Sequence, residues 1–190
     1  MKDLSRRVML TAPLILSACS QATPSRSEVR DMSNSKILVA FFTRSGNTKV
    51  IAGTVQRDLS ADLFEIRRKT PYPKDYEATV EQAKIERDRA FEPPLLGTVP
   101  NVERYEIIYL AFPIWGETAP PIIRSFLKSH DLAGKSLRPI ITHGGYGVGN
   151  SLSVLKSHAP RTQIEPAFVM EADQERRTLT QVREWLGQLR

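Results

Sequence analysis

The chain has 190 residues, 41% hydrophobic and 25% charged, a balance that suits one globular domain and excludes disorder, a collagen-like repeat and a polytopic membrane protein. Lysine and arginine number 27 against 21 acids, and the formal net charge of +6 is too diffuse for a nucleic-acid binder, whose mark is a basic cluster interleaved with aromatics. The single cysteine excludes an intrachain disulfide, a CxxC redox centre and a cysteine-rich metal site, so any redox chemistry must come from something bound.

Residues 1–18 carry the parts of an export signal. Lys2, Arg6 and Arg7 give a basic start, and Val8 to Leu16 is an apolar run too short to span a bilayer as a helix. Ser5-Arg6-Arg7-Val8-Met9-Leu10 resembles a twin-arginine signal, and Leu16-Ser17-Ala18-Cys19 resembles a bacterial lipobox, in which Cys19 becomes the lipidated first residue. An ordinary cleaved signal with an incidental Cys19 is the alternative. Cleavage before Cys19 removes Lys2, Arg6, Arg7 and Asp3 and lowers the formal charge from +6 to +4. Acyl chains on Cys19 would anchor the protein to an envelope membrane, in a periplasmic setting. Residues 19–35 are polar and aperiodic and read as a tether, leaving 36–190 as the folded domain.

Ile37-Leu38-Val39-Ala40-Phe41-Phe42 is unbroken apolar sequence, as expected of a strand buried on both faces. A turn of small polar residues follows, and then Val50-Ile51-Ala52, Val55 and Leu59 recur at helical spacing. Asp62 to Ile66 reads as a short second strand. Pro71-Tyr72-Pro73 breaks the chain, Asp75 to Arg89 reads as an exposed, charge-rich helix, and Phe91 to Arg104 as a surface loop. Glu106 to Phe112 is another buried strand. Pro120-Pro121 opens a helix through Ile122-Ile123 and Phe126-Leu127. Leu137 to Thr142 reads as a strand with Pro139 near its start or at an edge. After a glycine cluster, Asn150 or Ser151 caps a helix to about His158. Ile164 to Met170 is the last strand, and Glu175 to Leu189 the last helix, with Leu179, Val182, Leu186 and Leu189 on one face. Alternating strands and helices predict an α/β domain with a parallel sheet covered on both sides.

In such a sheet ligands bind beyond the carboxyl ends of the strands, at the switch in strand order. Three loops follow the strongest strands. Thr43-Arg44-Ser45-Gly46-Asn47-Thr48 offers hydroxyls, a tight turn at Gly46 and the positive end of a helix, which together suit a phosphate; a plain capped turn is the alternative. Pro113-Ile114-Trp115-Gly116-Glu117-Thr118-Ala119 places a tryptophan at a strand's mouth, positioned to stack on a planar ligand or else to cover the sheet edge. His143-Gly144-Gly145-Tyr146-Gly147-Val148-Gly149-Asn150 allows close backbone approach to a ring edge, with Tyr146 able to cover it. No GxxxxGK[ST] or Gly-x-Ser-x-Gly motif is present, and the glycines miss GxGxxG because Asn150 stands at the third glycine. His130, His143 and His158 lack metal-ligand spacing. His130 and His158 lie near helix ends and read as surface residues, and His143 as a neighbour of a bound ring without a catalytic role.

The first loop resembles the phosphate loop of flavodoxins. Phe112 to Pro121, with Phe126-Leu127 and Pro71-Tyr72-Pro73-x-x-Tyr76, resembles a bacterial flavodoxin-like subfamily with a Pro-Ile-Trp second flavin loop. The likeness spans roughly residues 36–189. It implies a three-layer fold with a five-stranded parallel sheet of order 2-1-3-4-5 and noncovalent FMN as cofactor. By position it implies that residues 43–48 hold the ribityl phosphate. Pro113, Ile114 and Trp115 would flank the isoalloxazine, with Trp115 stacked on it and Gly116 near N5. Thr118 and the backbone of Gly144, Gly145, Tyr146 and Gly147 would meet the ring's polar edge. The basic body departs from the acidic character typical of shuttle flavodoxins. The expected activity is electron transfer or a small quinone-reductase-like oxidation–reduction, with donor and acceptor unidentified. The alternative is a non-enzymatic envelope lipoprotein that retains the fold without flavin.

Overall fold

A computed structural model describes residues 35–171 and 175–189, with side chains from 181 onward in the last helix. The signal at 1–18, the lipobox cysteine Cys19, nearly all of the tether and the side chain of Leu179 lie outside the described residues. Strands β1 (Ile37–Phe41), β2 (Asp62–Glu65), β3 (Ile107–Pro113), β4 (Ser136–His143), β5 (Gln163–Ile164) and β6 (Phe168–Glu171) form one parallel sheet. The helices are α1 (Asn47–Leu59), α2 (Tyr76–Asp88), α3 (Pro121–Lys128), α4 (Ser151–His158) and α5 (Glu175–Gln188). The strand order is β2-β1-β3-β4-β5, with β6 also on β4, as the expected 2-1-3-4-5 sheet requires.

The alternation of side chains along each strand explains the three layers. Leu38, Ala40, Ile108, Leu110 and Phe112 point to one face and pack with Ile122, Ile123 and Phe126 of α3 and Leu155 of α4. Val39, Phe41, Tyr109 and Ala111 point to the other and pack with Ile51, Ala52 and Val55 of α1 and Val182 and Leu186 of α5. Burial on both faces is why β1 and β3 read as continuous apolar runs.

The last strand differs from the expectation of one run over Ile164–Met170. It is divided into β5 and β6, which pair with Ser136–Leu137 and with Ile140–His143 of β4. The backbone N–H of Ser136 points toward β3 and the carbonyl of Leu137 toward β5, so by alternation the N–H that Pro139 lacks would have faced the gap. Pro166 stands in the opposing segment and lacks a donor too. Pro139 therefore lies inside a central strand rather than near its start or edge, paired on the β3 side with Leu110.

Two further expectations are corrected. The 91–104 segment is more than a surface loop: Leu95 bridges Arg68 in antiparallel fashion, and Val99 is buried. His130 is not a surface residue; it is 8% exposed, with Nε2 accepting the Val99 N–H at 2.9 Å and Nδ1 2.7 Å from the Phe126 carbonyl. One acceptor and one donor nitrogen make this a neutral imidazole. Burial pushes its pKa below the usual 6.5, outweighing the Phe126 carbonyl, which pulls the other way. A lowered pKa means the unfolded chain binds this proton first. The contribution is whole above about pH 6.5 and declines as pH falls toward the folded value. Urea unfolding at pH 7.5 and at pH 5.5 should show part of the acid-side loss disappear in His130→Gln; an unchanged difference would refute the assignment. His158, at the end of α4, is half-buried with Nε2 3.7 Å from Glu92.

Candidate functional site

The first loop leaves β1 and turns back through the Gly46 N–H, which donates to Thr43 Oγ1 at 3.0 Å. Gly46 caps α1 at φ 100°, a left-handed conformation that favours glycine. The cap makes no side-chain hydrogen bond and the first turn holds no acid, so the helix presents an unneutralised positive end. Ser45 is exposed, whereas Thr48 is 1% exposed with its hydroxyl 3.0 Å from that of Thr142 on β4.

The second loop is fixed to its neighbours by backbone bonds. Ile114 N–H donates to the Thr142 carbonyl at 2.8 Å, and Trp115 N–H to Thr118 at 3.0 Å. Gly116 and Glu117 both have positive φ, 58° and 63°. Trp115 is half-buried and set edge-on between Phe42 (5.1 Å between ring centres) and Tyr72 (5.0 Å). Thr118 is 3% exposed; its hydroxyl is buried without a partner, so contact with a ligand requires this loop to shift.

In the third loop the Gly145 N–H donates to His143 Nδ1 at 3.0 Å, and the Asn150 N–H returns to the Glu117 carbonyl at 3.0 Å, joining the second and third loops. Tyr146 is 87% exposed and covers nothing.

These loops open on one cavity of ≈ 600 Å³. Thr43, Arg44, Ser45, Asn47 and Thr48 line it, together with Pro113, Ile114, Trp115 and Gly116, and with His143 and Gly144. Gly46, Thr118, Gly145, Tyr146 and Gly147 lie outside its wall. The 70–104 segment, longer than a minimal crossover and so a candidate lid or substrate wall from the sequence, supplies the facing wall through α2, with Tyr76, Val80, Ala83, Lys84 and Arg87, none of which the sequence singled out as site residues. Arg87 reaches from α2 to donate to the Gly116 carbonyl at 3.4 Å, and Arg44 lies over the Tyr76 ring at 5.1 Å. Behind the wall, Glu86 is buried and accepts from Arg68, Tyr72 and Gln82. Burial, and then the Glu86 charge, push the Tyr72 phenol far above its usual range, so it stays a donor.

Arg44, Lys84 and Arg87 line the cavity; Lys84 and Arg87 share the Asp88 carboxylate at 2.9 and 3.4 Å, and among the described residues no carboxylate lies in the wall itself. With the positive end of α1 they make an electropositive, partly aromatic pocket, within the size range of small-molecule sites. Its chemistry suits a planar ligand carrying an anionic arm.

Comparisons with known proteins agree with this geometry. The flavodoxin family model matches residues 36–189. A candidate flavoprotein from Bacteroides eggerthii is 30% identical, with a TM-score of 0.70 over 81% of this chain and 97% of its own. Another from Bacteroides uniformis is 25% identical, with a TM-score of 0.69 over 79% of this chain and 99% of its own. A flavoprotein from Lactobacillus acidophilus, solved in complex with FMN, shares the fold at 17% identity, with a TM-score of 0.62 over 77% of this chain and 99% of its own. No curated protein matches. From Lys36 to Leu189, the chain belongs to the flavodoxin family.

Proposed function

We propose that the chain binds FMN noncovalently in this cavity and acts in the cell envelope as an electron carrier or a small, quinone-reductase-like oxidoreductase. The observation that carries the reading is the cavity itself, which joins the uncompensated positive end of α1, Arg44, the Lys84 and Arg87 pair that shares one carboxylate, and Trp115, with no carboxylate in its wall among the described residues. The residues fit the group. The 43–48 turn would take the phosphate through backbone N–H groups and the Thr43 and Ser45 hydroxyls. Trp115, held edge-on by Phe42 and Tyr72, would offer a fixed aromatic surface to the ring, and Gly144 a backbone edge. Val80 and Ala83 of α2 would exclude water from one side, and Arg87 would hold the Gly116 carbonyl. Bound FMN supplies the exchange of one or two electrons, which no side chain of this protein supplies.

The lipobox-like Leu16-Ser17-Ala18-Cys19 supports a membrane anchor, and the paired Arg6-Arg7 supports export of the already folded, loaded protein. One preparation tests both parts. Full-length protein made in a bacterial host fed labelled palmitate should fractionate with membranes, carry label and show the absorption of bound flavin. Cys19→Ser should lose the label and keep the flavin. Trp115→Ala should bind FMN about tenfold more weakly or worse, roughly 1.4 kcal/mol. Colourless protein that binds no added FMN would overturn the flavin reading; unlabelled wild type would overturn the anchor alone.

A further inference from the structure

A second depression, of ≈ 590 Å³, adjoins the first and shares Thr43, Arg44 and Trp115 with it. Its floor is apolar and aromatic, made by Phe42, Tyr72, Leu96 and Trp115. The rings are fixed: Tyr72 packs edge-on against Trp115, and its hydroxyl is tied to Glu86 at 2.9 Å. The rim is basic, with Arg67, Lys69, Lys74 and the shared Arg44 against one carboxylate, Glu65. The fifth cation, Arg68, is committed to Glu86.

The backbone explains why these cations stand together. Arg67, Lys69 and Lys74 follow the carboxyl end of the edge strand β2, Arg44 follows that of the neighbouring β1, and the 67–74 segment is stapled by the Lys69 N–H to Pro94 at 2.8 Å and the Leu96 N–H to Arg67 at 2.7 Å. Among the described residues Arg67, Lys69 and Lys74 form no salt bridge, although the protein pairs other exposed bases with acids, such as Lys36 with Glu106 and Lys84 with Asp88. Clustered like charges repel one another, and among the described residues Glu65 is the one carboxylate that lines the depression beside them. Tyr72 and Trp115 stand at 76° to each other, an aromatic corner that offers a planar guest one ring face and one ring edge, and the basic rim above it suits an anionic group on that guest.

We propose that this depression binds a small planar aromatic anion, carrying a sulfonate, carboxylate or phosphate, as the reactant that meets the neighbouring cofactor site. Its ring lies in the corner between Tyr72 and Trp115, face against one and edge against the other, and its anionic group at the Arg67, Lys69 and Lys74 rim. The reactant role rests on the FMN reading; the binding does not.

The probe is anthraquinone-2-sulfonate in equilibrium dialysis against the full-length protein saturated with FMN, beside the uncharged 2-(hydroxymethyl)anthraquinone. Saturable binding of the sulfonate at one site is expected. It should weaken about tenfold in R67S/K69S/K74S, and again in wild type as salt rises from about 0.05 to about 0.5 M. FMN titration of the same variant should give wild-type affinity. Equal binding of the uncharged analogue, non-saturable uptake or an unaffected triple variant would overturn the proposal. Joint loss of FMN and probe in the variant would assign these cations to the cofactor cavity and overturn a separate site. A wild type that binds the probe but no FMN would refute the flavin reading and leave this site standing.

Discussion

Glu86→Ala is expected to lower the unfolding free energy by about 3–5 kcal/mol, the usual consequence of removing one partner from a buried ion pair. The Glu86 side chain is 5% exposed and that of Arg68 13%, and their N···O separation is 2.8 Å. The carboxylate is used in full. Oε1 accepts from Arg68 and from Gln82 at 2.9 Å, and Oε2 accepts the Tyr72 hydroxyl at 2.9 Å. Alanine strands a guanidinium, an amide and a phenol where water reaches poorly, and the loss is dominated by the uncompensated charge. Glu86→Gln keeps the volume and part of the bonding and should cost less. Tyr72 also packs on Trp115, so loss of its anchor should broaden the near-ultraviolet circular dichroism of the aromatic cluster. Urea unfolding of the two variants beside wild type decides the matter. A change below about 1 kcal/mol in Glu86→Ala would mean that the pair is better solvated than its burial indicates.

That pair also shows where the sequence stops being legible. β1 and β3 are readable because burial on both faces leaves a continuous apolar run, and α1 and α3 because their core residues recur at helical spacing. In α2 the buried positions are Thr79, Ala83 and Glu86, so the hidden face carries a hydroxyl, a methyl and a charge, and no apolar stripe marks it. The helix could be placed but not oriented: its segment reads as a candidate wall from its length, but which of its residues face the cavity does not. His130 misled for a related reason: a polar side chain after a helix reads as exposed until the segment at Val99 is folded over it. Pro139 and Pro166 were visible, but their alignment across two strands is a tertiary fact that separates β5 from β6.

The convergence of the three loops was legible in outline, because each follows one of the adjacent strands β1, β3 and β4, and parallel strands end together. Which side chains face the cavity was not. Tyr146 stands in solvent and the Thr118 hydroxyl is sealed, because the conformations of the 113–118 and 143–150 loops are set by the bonds between them rather than by their composition.

Those bonds make Gly149→Ala the second substitution of large effect. Gly149 has φ 51°, and a methyl group there would collide with the backbone carbonyl of Glu117, which the next residue's N–H holds at 3.0 Å. Neither partner is the end of a flexible side chain, so the clash can be relieved only by parting the two loops. Backbone strain and overpacking together are expected to cost about 2–4 kcal/mol. The parting moves Trp115 and Gly116 relative to His143 and Gly144, and FMN affinity should fall by about tenfold or more, roughly 1.4 kcal/mol. Gly134→Ala is the matched control. Its φ is 74° and the space around a new methyl is open, so it carries the left-handed strain without the collision and should cost about 1 kcal/mol with FMN affinity unchanged. Paired urea melts and flavin titrations of the two variants separate strain from collision. Equal losses in both would show that the Glu117 contact yields freely and that the loops do not depend on each other's placement.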